Sequence, residues 1–199
     1  MNTKSMIMFC LALPMLMAFN VCSNGTKPKV YKDTIYRFPP KRQPAVVDNT
    51  PEELRNIRIT DTIIKFKVKK SERKLYAYFG DTFKVFKISL GASPIGHKIK
   101  QGDHKTPEGT YFISFKNPKS RGYKSLKLSY PNAEDKKRAA ALKVFPGGDI
   151  CIHGLWWDTQ DPKTHWKDDW TEGCLAVNNQ EIDEIYAHTY LKTPISILP

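Results

Sequence analysis

Cysteine is scarce, 4 in 199 residues, which excludes a small scaffold held together by a disulfide framework. Acidic side chains are in the minority, 20 Asp and Glu against 32 Lys and Arg, and the formal charge is +12. That balance favours anionic partners or surfaces without naming one. The lysines are spread along strand-like segments and no RNA- or DNA-binding motif occurs, so the charge alone does not argue for nucleic acid. No internal repeat is visible, and no H-E-x-x-H motif is present. A zinc peptidase, the rival enzyme class, would have to draw on His97, Asp103, His104 and His165. With 40% hydrophobic and 26% charged residues the chain is neither collagen-like nor broadly disordered. Its length suits one domain with a real core, with or without appendages.

No run of the N-terminal segment is long enough to span a bilayer comfortably. Met6 to Phe19 carries no charge, but it is 14 residues long, where about 20 are needed, and it holds Pro14. Lys4 precedes it. A short cationic start followed by an apolar stretch reads as a secretory signal, residues 1–22, with an uncleaved membrane anchor as the alternative. Two processing routes are open. Cys22 is the candidate for lipidation as in a bacterial lipoprotein, although Val21 before it is bulkier than that processing favours. Alternatively, Val21 and Ser23 occupy the −3 and −1 positions of an ordinary cleavage site. Both routes place the mature protein outside the cytoplasm, in the cell envelope (periplasm), secreted or lipid-anchored.

Residues 23–58 are polar and hold Pro28, Pro39, Pro40, Pro44 and Pro51, the composition of an extended linker. The other reading is a domain edge wrapped on by Tyr31, Tyr36 and Phe38. The domain proper is expected over 59–199. Ile64, Phe66 and Val68 alternate with Lys65, Lys67 and Lys69, the period of a strand with one buried face. LYAYF, Gly80-Asp81 and TFKVFKISL read as a hairpin, and TYFISF, SLKLSY, DICIH and TPISIL as further strands. Asn132 with Asp135, and Asn178 with Glu181, mark the starts of two helices. Ile182, Ile185 and Tyr186 would form the buried stripe of the second. The fold class is therefore α+β, mostly β, with two helices.

Two cysteines fall in this domain, Cys151 and Cys174. Cys174 sits in Thr171-Glu172-Gly173-Cys174 just before a helix start, and Gly173 removes a side chain beside it. Backbone N–H groups from Gly173 to Leu175 are natural oxyanion donors. A thiol needs a base or cation nearby to become a thiolate at neutral pH, and His153, followed by Gly154, is the candidate. A Cys and a His in one sequence are by themselves more often structural than a catalytic pair. Cys151 and His153 lie on one face of the DICIH strand. Cys151 is then either a wall of the site, a partner for Cys174 on oxidation, or a buried apolar side chain.

Seventeen residues separate His153 from Thr171. His153-Gly154 followed at this distance by Thr171, Gly173 and Cys174 resembles the signature of the L,D-transpeptidase catalytic domain, the YkuD family. GDHKTPEGTY (Gly102 to Tyr111) is similar to that family's Gly-Asp-x-x-Thr-Pro-x-Gly-x-Tyr segment. LSYPNAED (Leu128 to Asp135) and GDICIHG (Gly148 to Gly154) resemble one subgroup. The resemblance implies a YkuD-like β-sandwich or barrel, with no cofactor and no metal. It implies an extracytoplasmic enzyme acting on peptidoglycan stem peptides. In the family the Cys attacks the carbonyl of the third stem residue and expels the terminal D-amino acid. It then passes the acyl group to an amine of another stem. Some members attach or release an envelope lipoprotein, and some use water as the acceptor.

Carried over residue by residue, the resemblance implies Cys174 as nucleophile and His153 as general base. It implies Gly173 and Cys174 as oxyanion donors, with support from Thr171 and Gly154. Two positions depart from the commonest pattern. Glu172 stands where many members have a second His, and Ala176 stands where many have Arg. Ala at that position resembles a subgroup with murein-lipoprotein processing enzymes, and the missing Arg leaves open whether the acceptor is an amine or water. The stretch from Leu155 to Trp170 holds Trp156, Trp157, Trp166 and Trp170 and should arch over the site. These rings either line a groove for sugar or peptide or pack the loop down. Arg121, Tyr123 and Lys124 either contact an anionic substrate or belong to a solvated loop. A wall-binding module without activity is the non-enzymatic alternative.

Overall fold

The structure, a computed structural model, describes residues 50–156 and 160–199. The expected signal segment, with Cys22, therefore lies outside the described residues. No helix among the described residues is long and apolar enough to cross a membrane. The elements run α1 (Glu52–Asn56), β1 (Ile63–Lys69), β2 (Lys74–Phe79), β3 (Thr82–Lys87), β4 (Gly109–Ser120), β5 (Tyr123–Leu128), α2 (Ala133–Ala141), β6 (Cys151–His153), β7 (Leu175–Ala176), α3 (Asn179–His188) and β8 (Pro194–Leu198). One sheet in the order β3-β2-β1-β8-β4-β5-β6-β7 takes up all eight strands. The pairs β1/β8 and β6/β7 are parallel and the others antiparallel. This is the α+β, mostly β architecture that the hydrophobic pattern implies. Among the described residues it carries three α-helices rather than two, because α1 forms in the stretch read as linker.

The sheet curls. Its first and last strands in order, β3 and β7, meet through the chain that follows β3: Ser89 bridges Ala176, and Gly91 bridges Thr171. Ser89 and Ala176 exchange both backbone hydrogen bonds, each at 3.0 Å. Curling turns one face of every strand inward, and the enclosed core holds Phe66, Val68, Leu75, Phe86, Ile113, Leu126, Ile152, Leu175 and Ile195. The alternation in β1 holds at Phe66 and Val68 but fails at Ile64. A register shift between Ile63 and Lys65 puts Ile63 inside, 1% exposed, and leaves Ile64 54% exposed. A bulge of this kind moves every residue on one side of it to the opposite face.

Both predicted helix starts close as full capping boxes. The Asn132 side chain accepts from the Asp135 N–H while the Asp135 carboxylate accepts from the Asn132 N–H. Asn178 and Glu181 do the same for α3, whose Ile182 and Ile185 are fully buried. Tyr186 packs against the same core and is partly buried.

The loop between β3 and β4 carries no regular structure, so polar side chains organise its backbone. The Asp103 carboxylate accepts from the N–H groups of Ile99, Lys100 and Lys105 and from Lys98 Nζ. Lys70, 3% exposed, donates to the Gly96 and Thr106 carbonyls and to Glu108. Burial of Asp103 disfavours its anion, but Lys98 and the three amides outweigh that and hold its pKa below the ordinary 3.8. A depressed carboxylate stabilises the fold above its unfolded pKa, and that contribution is lost as pH falls through the folded value. Asp103→Ala should therefore cost about 2–3 kcal/mol at pH 7 by urea denaturation. The gap between variant and wild type should narrow as the pH is taken below 4.

Candidate active site

β6 is three residues long, with the burial that a pleat imposes. Ile152 points into the core with no exposure, while Cys151 and His153 project from the other face. β7 lies parallel beside it, with Ile152 opposite Leu175 and His153 opposite Ala176. Cys174, the residue before β7, is thereby set next to Cys151 and His153. Two turns deliver these strands. Asp149 adopts φ 56° ahead of β6, and Gly173 adopts φ 127° ahead of Cys174. A Cβ on Gly173 would lie 2.6 Å from the Lys105 carbonyl oxygen. The turn therefore needs glycine both for its backbone angle and for the close approach of the β3–β4 loop.

The His153 imidazole and the Cys174 thiol lie close enough for each to shift the other's pKa. His153 is 7% exposed, and its Nδ1 lies 2.6 Å from the Gly154 carbonyl. A carbonyl only accepts, so this contact assigns the proton to Nδ1 and leaves Nε2 for the sulfur. Burial disfavours the imidazolium, but the hydrogen bond and charge of Cys174, with the Gly154 carbonyl, outweigh it and raise the His153 pKa above 6.5. Cys174 moves the other way. The Cys151 thiol, then the His153 imidazole and the Cys151 N–H, favour the thiolate and hold Cys174 well below its ordinary value despite burial. Opposite shifts of the two partners describe a thiolate–imidazolium pair.

Thr171 closes the turn that presents Cys174. Its hydroxyl donates to the Cys174 carbonyl at 2.8 Å and accepts from the Gly173 N–H at 3.1 Å. The Gly173 N–H is therefore engaged within the turn, whereas the Cys174 N–H has no partner among the described residues. Glu172 is exposed and pairs with His104 Nδ1 at 2.6 Å, which ties the turn to the β3–β4 loop. Ala176 is fully buried against Ser89, so no cation stands at that position.

Of the aromatic residues between His153 and Cys174, Trp170 packs edge-on against His153 with ring centroids 5.9 Å apart. Trp156 packs on Trp170 at the same distance, and the Arg121 guanidinium lies over Trp156, 4.4 Å from its centroid. Trp166 sits away from this stack, under Lys87. Trp157 lies outside the described residues. Tyr123 and Lys124 turn to α3, where both bond Asp183. The histidines considered for zinc are engaged separately. His97 lies 3.1 Å from Asp135, His104 is on Glu172, and His165 Nδ1 is 3.3 Å from the Ser89 hydroxyl. No group of three or more metal-ligating side chains is arranged to hold an ion among the described residues.

Several site residues escape sequence reasoning. Ser89 accepts from Trp170 Nε1 at 2.9 Å and donates to the His165 carbonyl, which anchors the tryptophan beside His153. Burial pushes the His165 pKa down to about 4, so it packs there as a neutral ring. Asn179 accepts from the Leu155 N–H at 2.7 Å and fixes the chain leaving β6. Gly122, in the β4–β5 turn, lies against the catalytic-side nitrogen's opposite edge: a Cβ there would fall 2.8 Å from His153 Nδ1 and 3.0 Å from the Gly154 oxygen. Nothing in the local sequence links Ser89 or Gly122 to His153, because Gly122 is brought there by the pairing of β5 with β6 and Ser89 only when the sheet curls closed. Gly122→Ala should displace the imidazole and slow the reaction of Cys174 with a thiol-directed acylating agent by about tenfold or more. Global stability should change by no more than about 1–2 kcal/mol; an unchanged reaction rate would refute the contact.

The L,D-transpeptidase catalytic domain (YkuD) family model matches residues 64–197. Over 108 residues the chain is 35% identical to YafK of Escherichia coli (strain K12), provisionally named an L,D-transpeptidase; the match covers 53% of this chain and 35% of YafK. The Escherichia coli O157:H7 protein of the same name matches with the same figures. The crystal structure of the helical cell shape determining protein Pgp2 from Campylobacter jejuni aligns with a TM-score of 0.50 and 26% identity, over 73% of this chain and 52% of that one. The chain thus spans about a third of YafK and about half of Pgp2. With the matched region taking in the sheet, His153 and the Cys174 turn, the chain belongs to the L,D-transpeptidase catalytic domain family.

Proposed function

We propose that the protein is a cysteine-dependent L,D-transpeptidase of the cell envelope, acting on peptidoglycan stem peptides. The observation that carries this reading is the placement of Cys174 beside His153 by the parallel pairing of β6 and β7, with the imidazole held from behind by the Gly154 carbonyl. In the proposed reaction the Cys174 thiolate attacks the carbonyl of the third stem residue. The carbonyl oxygen takes the negative charge, and the Cys174 N–H is the donor left to receive it. The tetrahedral intermediate collapses as His153 Nε2–H protonates the leaving amine of the terminal D-amino acid. A thioester to Cys174 remains. An acceptor amine then attacks the thioester, gives its proton to His153 and releases the sulfur as thiolate. Every proton taken up in the second half was donated in the first, so no cofactor enters.

Trp156, Trp170 and Arg121 form a stacked wall beside His153, suited to a stem peptide or its sugar. Pgp2 is named for determining helical cell shape. Remodelling of the wall, and through it cell shape, is the role proposed here too. A second reading keeps the same acyl-enzyme and lets water resolve it, which would release stem tripeptides or an envelope lipoprotein. The buried Ala176, where many family members carry Arg, favours considering it.

Exposure to a carbapenem should give one covalent adduct on Cys174 by mass spectrometry, absent from Cys174→Ala. No adduct on the wild type, or an equal one on the variant, would end the enzymatic reading. Purified muropeptides should yield cross-linked dimers if an amine is the acceptor and tripeptides if water is. Cys174→Ser should lose on the order of a thousandfold in rate or more. The kcat/KM profile should be bell-shaped: the acid limb follows loss of the thiolate, below the ordinary thiol value of about 8.5, and the alkaline limb loss of the imidazolium, above 6.5. A single rise through the ordinary thiol range would contradict the ion pair.

A further inference from the structure

Cys151 is a partly buried thiol that the reaction scheme above does not use, yet its backbone touches the sulfur that does the chemistry. Its backbone N–H donates to Cys174 Sγ at 3.4 Å. Both thiols also reach one acceptor, the Asp149 carbonyl, at 3.5 Å from Cys151 Sγ and 3.4 Å from Cys174 Sγ. Two S–H groups converging on one carbonyl crowd the site with protons when both are neutral. If Cys174 ionises, the crowding resolves: Cys151 S–H turns to the new anion, and Asp149 loses one of its donors. We propose that Cys151 is a positioning residue of the reaction, a donor that holds Cys174 as a thiolate. This rests on reading Cys174 as the nucleophile.

The argument is one of proton counting. A sulfur anion is favoured by each donor aimed at it. Cys174 already has the Cys151 N–H on its sulfur, and two more donors favour its anion: His153 Nε2–H and the Cys151 S–H, which shares the Asp149 carbonyl with it. The imidazole must leave the sulfur to protonate the departing amine. The two Cys151 donors stay: β6 fixes the N–H, and the S–H has only to rotate from the Asp149 carbonyl to the sulfur. They matter again when the thioester is resolved, since a more stable thiolate leaves faster. The cost falls on Cys151 itself, whose thiol is pushed up by its contact with Cys174 and by burial, and so remains the proton-bearing partner. One low and one high thiol is the expected division when two sulfurs share a proton.

Other charged groups near the sulfur are already paired. The Asp149 carboxylate is turned to Lys127 of β5, which lies opposite Cys151 in the strand register. Glu172, in the nucleophile turn, is on His104. His153 is the remaining titratable neighbour, and it is present in every variant below.

The test reads thiol acidity directly, without substrate. The full chain is alkylated with iodoacetamide across a pH series, and the rate at Cys174 is followed by peptide mass spectrometry. In Cys151→Ala and Cys151→Val, which lack the side-chain donor, the midpoint for thiolate formation should rise by about one pH unit. That is about a tenfold loss of rate on the acid side. In Cys151→Ser, which keeps a donor, the midpoint should stay near the wild-type value. Equal shifts in the Ala, Val and Ser variants would make the role steric, and no shift in any would remove it; either result overturns the proposal. Circular dichroism identifies any variant that fails to fold, and the Val and Ala variants back each other up. Carbapenem acylation at pH 9, where the thiolate forms regardless, separates the two claims. An adduct on Cys174 with an unmoved midpoint sinks the Cys151 donor alone, whereas no adduct even in wild type sinks the nucleophile.

Discussion

A sulfur and an imidazole must lie within hydrogen-bond reach, and they come from chain positions more than twenty residues apart. The parallel pairing of β6 with β7 meets this requirement. Ile152 opposite Leu175 buries both side chains in the core and leaves Cys151, His153 and Cys174 together on the other side. A one-residue slip would send Ile152 out and His153 in. The register is therefore enforced by hydrophobic burial rather than by the polar contacts it serves. The Gly154 carbonyl then fixes the remaining freedom of the ring, its rotation and its tautomer.

The rest of the domain holds this pair from two sides. Behind the nucleophile turn lies the β3–β4 loop, whose shape is set by Asp103 and the buried Lys70. Its Lys105 carbonyl presses so closely that position 173 tolerates no side chain. Across from it, Ser89 carries Trp170, and Trp170 covers His153. Ser89 also makes the bridge to Ala176 that closes the curled sheet. Closure of the fold and shielding of the imidazole thus pass through one residue.

This arrangement explains how the chain tolerates its departures from the commonest family pattern. Glu172 has a partner in His104 and remains at the surface. Ala176 is a small residue in a fully buried strand, paired to Ser89 through the backbone. The acidity of Cys174 accordingly comes from neighbours on β6 and not from a cation on β7.

Much of the architecture was legible in the sequence. Period-2 alternation located β1 to β3, and the pairs Asn132/Asp135 and Asn178/Glu181 located two helix starts, because capping and pleating depend on near neighbours. The same local logic put Cys151 and His153 on one face. It missed the bulge that exchanges Ile63 for Ile64, and the third helix at Glu52–Asn56. Tertiary structure alone decided that Gly122 abuts His153, that Ser89 anchors Trp170, that Tyr123 turns to Asp183, and that Cys151 donates to Cys174. Sequence specifies which residues can bury or cap, since those preferences are short-ranged. It does not specify which distant groups meet, since that follows from which strands pair, in what register, and how the curled sheet closes.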